Sequence, residues 1–307
     1  MGIAGTSLAA MPNIAPQSVR SQHVPVVLGV SAVLIWALTV IYSRQLAQHI
    51  DPFLSGLLRV FFAGVVALPF LAFTGRRPRG AQEWWLLLAG SLAASFLFCT
   101  LLSLGLGHTT AARGGLIIAV APLLTGVASY ALRRRWPRAG WWVGLGIATA
   151  GLAAFMASHA NGLDGGTVRG DLIVAAAFVA TAVANVIGSW MVPRIGAIGF
   201  TCWGAAISAV FAVPFMPAAL ADLYAHGSAG DWAIVAFLAS ISAIVAPSLW
   251  YWAMAHGGVG RISALQFLQP VMVVGFAAVL LGERITLPLL ATAAVVLGGV
   301  ALARRFS

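Results

Sequence analysis

Long apolar runs separated by short polar segments dominate the pattern along the chain. A helix needs about 20 mostly apolar residues to cross roughly 30 Å of hydrocarbon, because each residue rises about 1.5 Å. Ten runs meet this requirement. They lie near residues 24–44, 52–73, 84–104, 113–132, 139–158, 170–190, 197–219, 231–253, 261–281 and 286–304. The pattern predicts an all-α integral membrane protein with ten transmembrane helices.

The composition argues against an ordinary soluble domain. Hydrophobic residues fill 61% of the 307 positions and charged residues only 8%, whereas about a quarter of the residues in a soluble domain are charged. The net charge of +10 comes from short arginine clusters between the apolar runs, so we expect no nucleic-acid partner. No metal-ligand spacing, phosphate-binding loop or nucleophile motif occurs, so we expect no metal, no cofactor and no enzyme activity.

The placement of the arginines predicts the orientation of the chain in the membrane. With residues 1–23 as a cytoplasmic tail, the cytoplasmic segments hold twelve arginines, and the outside segments hold four together with six of the seven acids. Cytoplasmic loops of membrane proteins are enriched in Lys and Arg, so both termini are expected in the cytoplasm. We expect a multi-pass monomer, surrounded by lipid, in the bacterial inner membrane.

The second half of the chain repeats the first at a constant offset. An offset of 148 residues pairs His108 with His256, Arg113 with Arg261, and Pro122 with Pro270. The two predicted repeats cover residues 24–158 and 170–304 and contain five helices each. Because five is an odd number, the second repeat enters the membrane from the opposite side. Inverted repeats of this kind are typical of secondary transporters.

Several motifs resemble the EamA repeat of the drug/metabolite transporter superfamily. They are Trp252-Ala253, Ile262-Ser263-Ala264, Gln269-Pro270, Leu280-Leu281-Gly282-Glu283 and Gly298-Gly299, with Trp36, Pro52 and Arg59 in the first half. Amino-acid exporters of the YddG type are the nearest resemblance. It implies export of small metabolites, with neutral and aromatic amino acids as the first expectation. The first half has Leu132-Arg133-Arg134-Arg135 in place of the acidic turn, so no role of Glu283 transfers to it.

Polar and aromatic side chains on several spans predict a substrate-binding cavity near the hinge prolines Pro122 and Pro270. Primary amides have several hydrogen bonds to satisfy and are hard to bury, so we expect amide side chains to line the cavity. Aromatic side chains would supply its apolar walls. The amides are Asn185, Gln266 and Gln269, and the aromatic residues are Trp36, Phe98, Tyr251 and Phe267. Serines and threonines on the same faces either join this wall or only connect packed helices.

Three arginines are candidates for a charged site or a gate. Arg59 lies inside the second span, where it either binds a substrate carboxylate or extends to the outer face and pairs with Asp51 or backbone carbonyls. Arg113 and Arg261 begin equivalent helices at opposite faces. They belong either to the two gates or simply to the membrane interface.

The spans contain no Asp or Glu away from their ends. Ion-coupled carriers usually place a carboxylate in the pathway, so this absence predicts facilitated export or exchange. His108 and His256 leave a proton-coupled mechanism as an alternative. A nucleotide-sugar or lipid head-group carrier is a rival within the superfamily, but it should have more intramembrane cations than Arg59 alone. A multispan membrane enzyme would need clustered carboxylates or histidines at one membrane face, and none cluster.

Overall fold

The computed structural model describes residues 23–73, 77–133, 138–158, 166–257, 262 and 264–306, and every regular element among them is helical. The α-helices are α1 (His23–His49), α2 (Pro52–Phe73), α3 (Ala81–Ser91), α4 (Phe98–His108), α5 (Ala111–Arg133), α6 (Ala139–Ser158), α7 (Val168–Ile195), α8 (Ala197–Ala212), α9 (Met216–His226), α10 (Ala229–Phe237), α11 (Ala246–Gly257), α12 (Leu268–Leu281) and α13 (Leu287–Arg305). A first π segment (Leu92–Leu97) joins α3 to α4, and a second π segment (Leu238–Val245) joins α10 to α11. The predicted all-α class is confirmed.

Seven helical stretches of the described chain are long and apolar enough to cross a membrane. They are His23–His49, Pro52–Ala72, Ala81–His108, Ala139–Ala157, Val168–Ile195, Ala197–His226 and Ala229–Met254. Three shorter apolar helices, Ala111–Ala121, Leu265–Leu281 and Leu287–Ala303, lie at the fourth, ninth and tenth spans predicted from the sequence.

The outer surface of the bundle is rich in large apolar side chains, and the interior is mostly apolar as well. Large apolar side chains face outwards, and Val279 and Leu287 are 81% and 79% exposed. Polar and charged side chains such as Arg59, Arg113 and Asp171 are buried. In hydrocarbon, apolar side chains face lipid at little cost, whereas polar groups need partners inside the protein. This placement of exposed apolar and buried polar side chains is the one expected of helices surrounded by lipid.

Polar side chains and glycine mark several helix ends. Asp51 Oδ1 accepts hydrogen bonds from the first-turn N–H groups of α2, at 3.0 Å from Phe53 N. Thr167 caps α7 by accepting from Gly170 N, and Ser228 and Asp231 form a reciprocal capping box at the start of α10. Such caps satisfy N–H groups that have no partner within the helix.

The two halves pack against each other in a symmetric pattern. Helix α2 packs against α8, α5 against α12, and α6 against α13. Helix α1 packs against α11 and α12, and α7 packs in the corresponding way against α4 and α5. At the 148-residue offset, α7 corresponds to α1, and α11 and α12 correspond to α4 and α5. Each of these contacts between the halves thus has a counterpart with the roles of the halves exchanged.

Some predicted spans differ from single α-helices. The third and eighth contain the π segments, and the seventh is interrupted by a 3₁₀ turn at Val213–Phe215. The ninth begins as the 3₁₀ turn Ala264–Phe267, so Pro270 falls in the first turn of α12, where its missing N–H would have no helical partner. Position 122 lies within continuous α5, and its side chain is outside the description. The two prolines were expected at equivalent depth, but their local structures differ.

Candidate functional site

A cavity of about 610 Å³ lies between the two halves of the chain. Its wall includes residues of α1, α2, α4, α5 and the first π segment in the first half. In the second half, α7, α8, α11, the second π segment and residues 266–269 contribute. Small-molecule sites have volumes of roughly 300 to 1,000 Å³. The cavity therefore has the size of a site for a small organic molecule.

All seven side chains predicted to bind substrate line this cavity. They are Trp36, Phe98, Asn185, Tyr251, Gln266, Phe267 and Gln269. Among the predicted charged residues, Arg59 also lines the cavity. Arg113 lies away from the cavity, and Arg261 is outside the described residues. The structure brings the predicted wall together, while the binding roles stay predictions.

Two wall hydroxyl groups of α7 are held by their own helix. Thr181 Oγ1 donates to Ala177 O at 3.2 Å, and Ser189 Oγ donates to Val186 O at 2.7 Å. Each hydroxyl hydrogen is thereby used, while oxygen lone pairs stay available to accept from a ligand. Thr181 and Ser189 therefore border the cavity, as one interpretation of the sequence expected, although their hydroxyl groups bond within their own helix.

Arg59 is buried on the cavity wall, with 4% of its surface exposed. Its Nη2 donates to Ser242 Oγ at 3.2 Å, and its guanidinium lies 5.8 Å from the centre of the Phe98 ring. Nε and Nη1 have no hydrogen-bond partner among the described residues. Asp51 instead caps α2. The expectation that Arg59 pairs with Asp51 at the outer face is wrong, because the side chain points into the bundle.

The two π segments both contribute to the cavity wall. Ser95 comes from the first π segment, and Ser242 and Ala243 come from the second. The segments occupy equivalent places in the two halves, since residue 92 plus the offset of 148 gives residue 240. A π turn widens the helix and redirects side chains, and such turns are frequent at functional sites. Sequence reasoning missed Ser242, because a serine in an apolar run carries no distinguishing signal.

Aromatic pairs stiffen two parts of the wall. The ring centroids of Trp36 and Trp250 are 5.4 Å apart, and those of Phe98 and Phe178 are 5.7 Å apart. Pairs at these distances and tilted angles interact favourably. The cavity therefore presents fixed aromatic surfaces beside the amide groups.

Arg113 forms a buried ion pair with Asp171 at the start of α7. Both side chains are almost fully buried, and Arg113 Nε lies 3.1 Å from Asp171 Oδ2. Thr109 Oγ1 donates to the same carboxylate at 2.6 Å. The carboxylate holds Arg113 inside the protein at the start of α5, and its depth at the membrane interface stays a prediction. A role in a gate stays a prediction.

Hydrogen bonds between distant segments tie together one end of the helix bundle, named here the Glu283 end. Glu283 accepts from Ala111 N at 2.8 Å and from Ala112 N at 2.9 Å. His49 Nδ1 and Asp231 Oδ1 are 3.2 Å apart at the same end. A carboxylate across the first N–H groups of a helix also interacts favourably with the helix dipole. These contacts connect α5 and α1 to the second half.

The opposite end, named the Arg194 end, carries an exposed ion pair. Arg194 Nη1 lies 2.9 Å from Glu83 Oε1. The cavity wall includes Val192 and Pro193, which are adjacent to Arg194 in α7. The cavity thus extends towards the Arg194 end.

Neither predicted proton-carrying histidine lies on the described cavity wall. His108 is exposed at the Glu283 end, and its carbonyl accepts from Thr167. His256 is exposed and stacks on Trp252 with ring centroids 4.0 Å apart. The structure therefore offers no position for these histidines in the cavity.

Several known proteins are similar to this chain. The family model described as EamA-like transporter family matches residues 23–157 and 168–305. The uncharacterized transporter YetK of Bacillus subtilis (strain 168) is 26% identical over 276 residues, covering 88% of this chain and 83% of the relative. The uncharacterized transporter YdeK of the same organism is 25% identical over 279 residues, covering 91% and 96%. One protein crystal structure aligns with a TM-score of 0.61 at 22% identity, over 92% of this chain and 99% of that one, which shows a shared fold.

Proposed function

The chain belongs to the EamA-like transporter family, within the drug/metabolite transporter superfamily, and from this premise we propose that it exports small amphipathic or zwitterionic metabolites, foremost neutral and aromatic amino acids. It is a multi-pass membrane protein whose relatives are named transporters. The observation that carries the proposal is the cavity between the two halves, lined by amides and aromatic rings. Such a wall can bind a solute that is polar at one end and apolar at the other.

The proposed topology has ten transmembrane helices in two inverted repeats. The seven long helices and the three shorter apolar ones supply ten elements at the predicted positions. The exchanged packing of α1 with α11 and α12, and of α7 with α4 and α5, is the contact pattern expected of a pseudo-two-fold axis. An axis that lies in the membrane plane would relate halves of opposite topology.

The proposed mechanism is alternating access. Glu283 and the His49–Asp231 pair tie the Glu283 end together, while the cavity extends towards the Arg194 end. With both termini in the cytoplasm of a bacterial cell, the Arg194 end faces inwards, and this conformation receives solute from the cytoplasm. Rocking of one half against the other would break the contacts of Glu283 and open the cavity to the outside.

The proposed transport runs down a gradient or by exchange. The described wall residues include no Asp, Glu or His that would change charge or hold a cation during the cycle. Proton or sodium coupling generally uses such a group in the pathway. We therefore expect an imposed proton or sodium gradient to leave the initial rate of counterflow unchanged.

Counterflow in proteoliposomes tests this function. Labelled neutral and aromatic amino acids, sugars and nucleotide sugars are offered separately to vesicles preloaded with the same unlabelled solute. We expect uptake of amino acids, abolished by Ala94→Trp, which fills the cavity, and retained by Ala89→Trp on the exposed face of the preceding helix. Exclusive uptake of a phosphorylated solute would contradict the proposal and favour a nucleotide-sugar carrier.

A further inference from the structure

The cavity carries an uncompensated positive charge. Arg59 is the charged member of the described wall, which includes no carboxylate to balance it. Arginine supplies a fixed positive charge in proteins. An isolated charge in an apolar interior is unfavourable unless it is paired and hydrogen-bonded. The described wall therefore supplies no negative group to balance the charge of Arg59.

A chain of hydroxyl groups holds the guanidinium in place. Thr39 Oγ1 donates to Ile35 O at 2.8 Å, so the 2.6 Å contact between Thr39 Oγ1 and Ser242 Oγ assigns Ser242 as the donor. The lone pairs of Ser242 Oγ are then free to accept from Arg59 Nη2 at 3.2 Å. The chain runs from Arg59 through Ser242 and Thr39 to a backbone carbonyl, and it orders every proton.

The same arrangement leaves two of the three guanidinium nitrogens without partners. Nε and Nη1 have no partner in the described structure and almost no exposed surface. Their burial removes them from water without replacing its hydrogen bonds, which is costly for a charged group. Arg59 borders the cavity, so a molecule bound there is the partner expected for these N–H groups.

We propose that Arg59 is the anion-recognition residue of this cavity and that its substrates must carry a carboxylate, whereas an ammonium group is dispensable. This assignment rests on the proposed transport function. A carboxylate matches the planar fork of a guanidinium and forms two parallel, charge-assisted hydrogen bonds. One carboxylate also balances the single positive charge of the described wall.

The class of substrate follows from this charge balance. An organic monocarboxylate neutralises Arg59 completely. The ammonium of an amino acid instead meets neutral acceptors, such as the amide oxygens of Gln266 and Gln269 and the hydroxyl oxygens of the wall, and aromatic faces. A cation without a carboxylate adds a second positive charge to the cavity. We therefore expect a monocarboxylate to bind at least as tightly as an amino acid, and both to bind far more tightly than an amine.

Three solutes with one phenyl ring separate these cases. They are 3-phenylpropanoate, phenylalanine and phenethylamine, which carry an anion, a zwitterion and a cation. Binding is measured by thermal shift of the purified protein, and transport is measured by counterflow in proteoliposomes. Wild-type protein should bind and carry the first two and neither bind nor carry phenethylamine.

Variants of Arg59 assign this selectivity to the guanidinium. Arg59→Gln should weaken binding of both carboxylates by about tenfold or more, the order expected for charge-assisted hydrogen bonds. Arg59→Lys keeps the charge but loses the fork, so an intermediate loss is expected. The unliganded melting temperature and gel-filtration profile of each variant report folding. If Arg59→Gln does not fold, Arg59→Lys alone carries the comparison.

The outcomes distinguish this inference from the transport function. If carboxylates bind in a way that depends on Arg59 but no counterflow occurs, the assignment is supported and the proposed transport function is overturned. Counterflow of phenethylamine equal to that of 3-phenylpropanoate supports transport and overturns the assignment. The assignment is also overturned if folded Arg59 variants keep the full carboxylate preference, or if wild-type protein binds none of the three solutes.

Discussion

Single side chains in this protein differ in how far the sequence predicts them. The amides and aromatic residues of the wall were predictable, because large polar or aromatic groups within apolar helices have few other places to go. Ser242 was not, since its partners Thr39 and Arg59 lie in another part of the chain. The sequence places Asp171 at the end of a predicted span, and only the fold shows that it is buried against Arg113.

Loss of the Ser242 hydroxyl should weaken substrate binding. Ser242→Ala removes the acceptor that positions Arg59 Nη2, and a hydrogen bond to a charged group contributes enough to change affinity by about tenfold. We expect a higher KM for counterflow of a carboxylate solute. Ser240→Ala is the matched control, because Ser240 lies in the same π segment and, among the described residues, its hydroxyl bonds to Ala236 O one turn earlier. An equal effect of both variants would contradict the positioning role of Ser242.

The buried Arg113–Asp171 pair should contribute far more to stability than the exposed Arg194–Glu83 pair. Asp171→Asn leaves Arg113 without its counter-charge, and breaking a buried pair costs about 3–5 kcal/mol. Glu83→Gln breaks a pair whose arginine is 57% exposed, and such pairs contribute about 0–1 kcal/mol. Melting of the detergent-solubilised variants compares them. Similar melting temperatures for the two variants would show that the buried pair is not structurally important.

Secondary elements were predictable in type and approximate position, but not in detail. Apolar length identifies a span, yet it does not distinguish a continuous α-helix from one with a π segment. The π segments Leu92–Leu97 and Leu238–Val245 lie inside uniformly apolar runs. Proline gave an incomplete signal, because Pro270 lies in the first turn of a helix while position 122 lies well within one. Tertiary packing, which the sequence pattern does not contain, decides between these cases.

Close contact between α6 and α13 depends on glycine at position 144. A Cβ atom there would lie 2.4 Å from Ala303 N and 2.5 Å from Gly299 O, which are backbone atoms that cannot rotate away. Gly144→Val should therefore force the helices apart and lower the melting temperature by several degrees. Gly146→Val is the control on the same helix, because no atom lies within 4 Å of its Cβ position. Equal melting temperatures for the two variants would show that the close contact is unimportant for stability.

The whole molecule is best understood as two similar halves around one cavity. The 148-residue offset predicted this from scarce residues, and the exchanged helix contacts and paired π segments agree with it. The sequence could not predict which end of the bundle is tied. That depends on pairs such as Glu283 with Ala111 and Ala112, whose members belong to different halves.

The central claim is that one cavity opens to each side of the membrane in turn, and labelling of Ser189→Cys tests it most directly. Ser189 lines the cavity, and Cys99 and Cys202 are first replaced by alanine. A membrane-impermeant thiol reagent is applied to right-side-out and to inside-out vesicles, with Val183→Cys on the exposed face of α7 as the control. We expect Ser189→Cys to react from both sides, substrate to slow the reaction, and Val183→Cys not to react. Reaction from one side only, with or without substrate, would contradict alternating access.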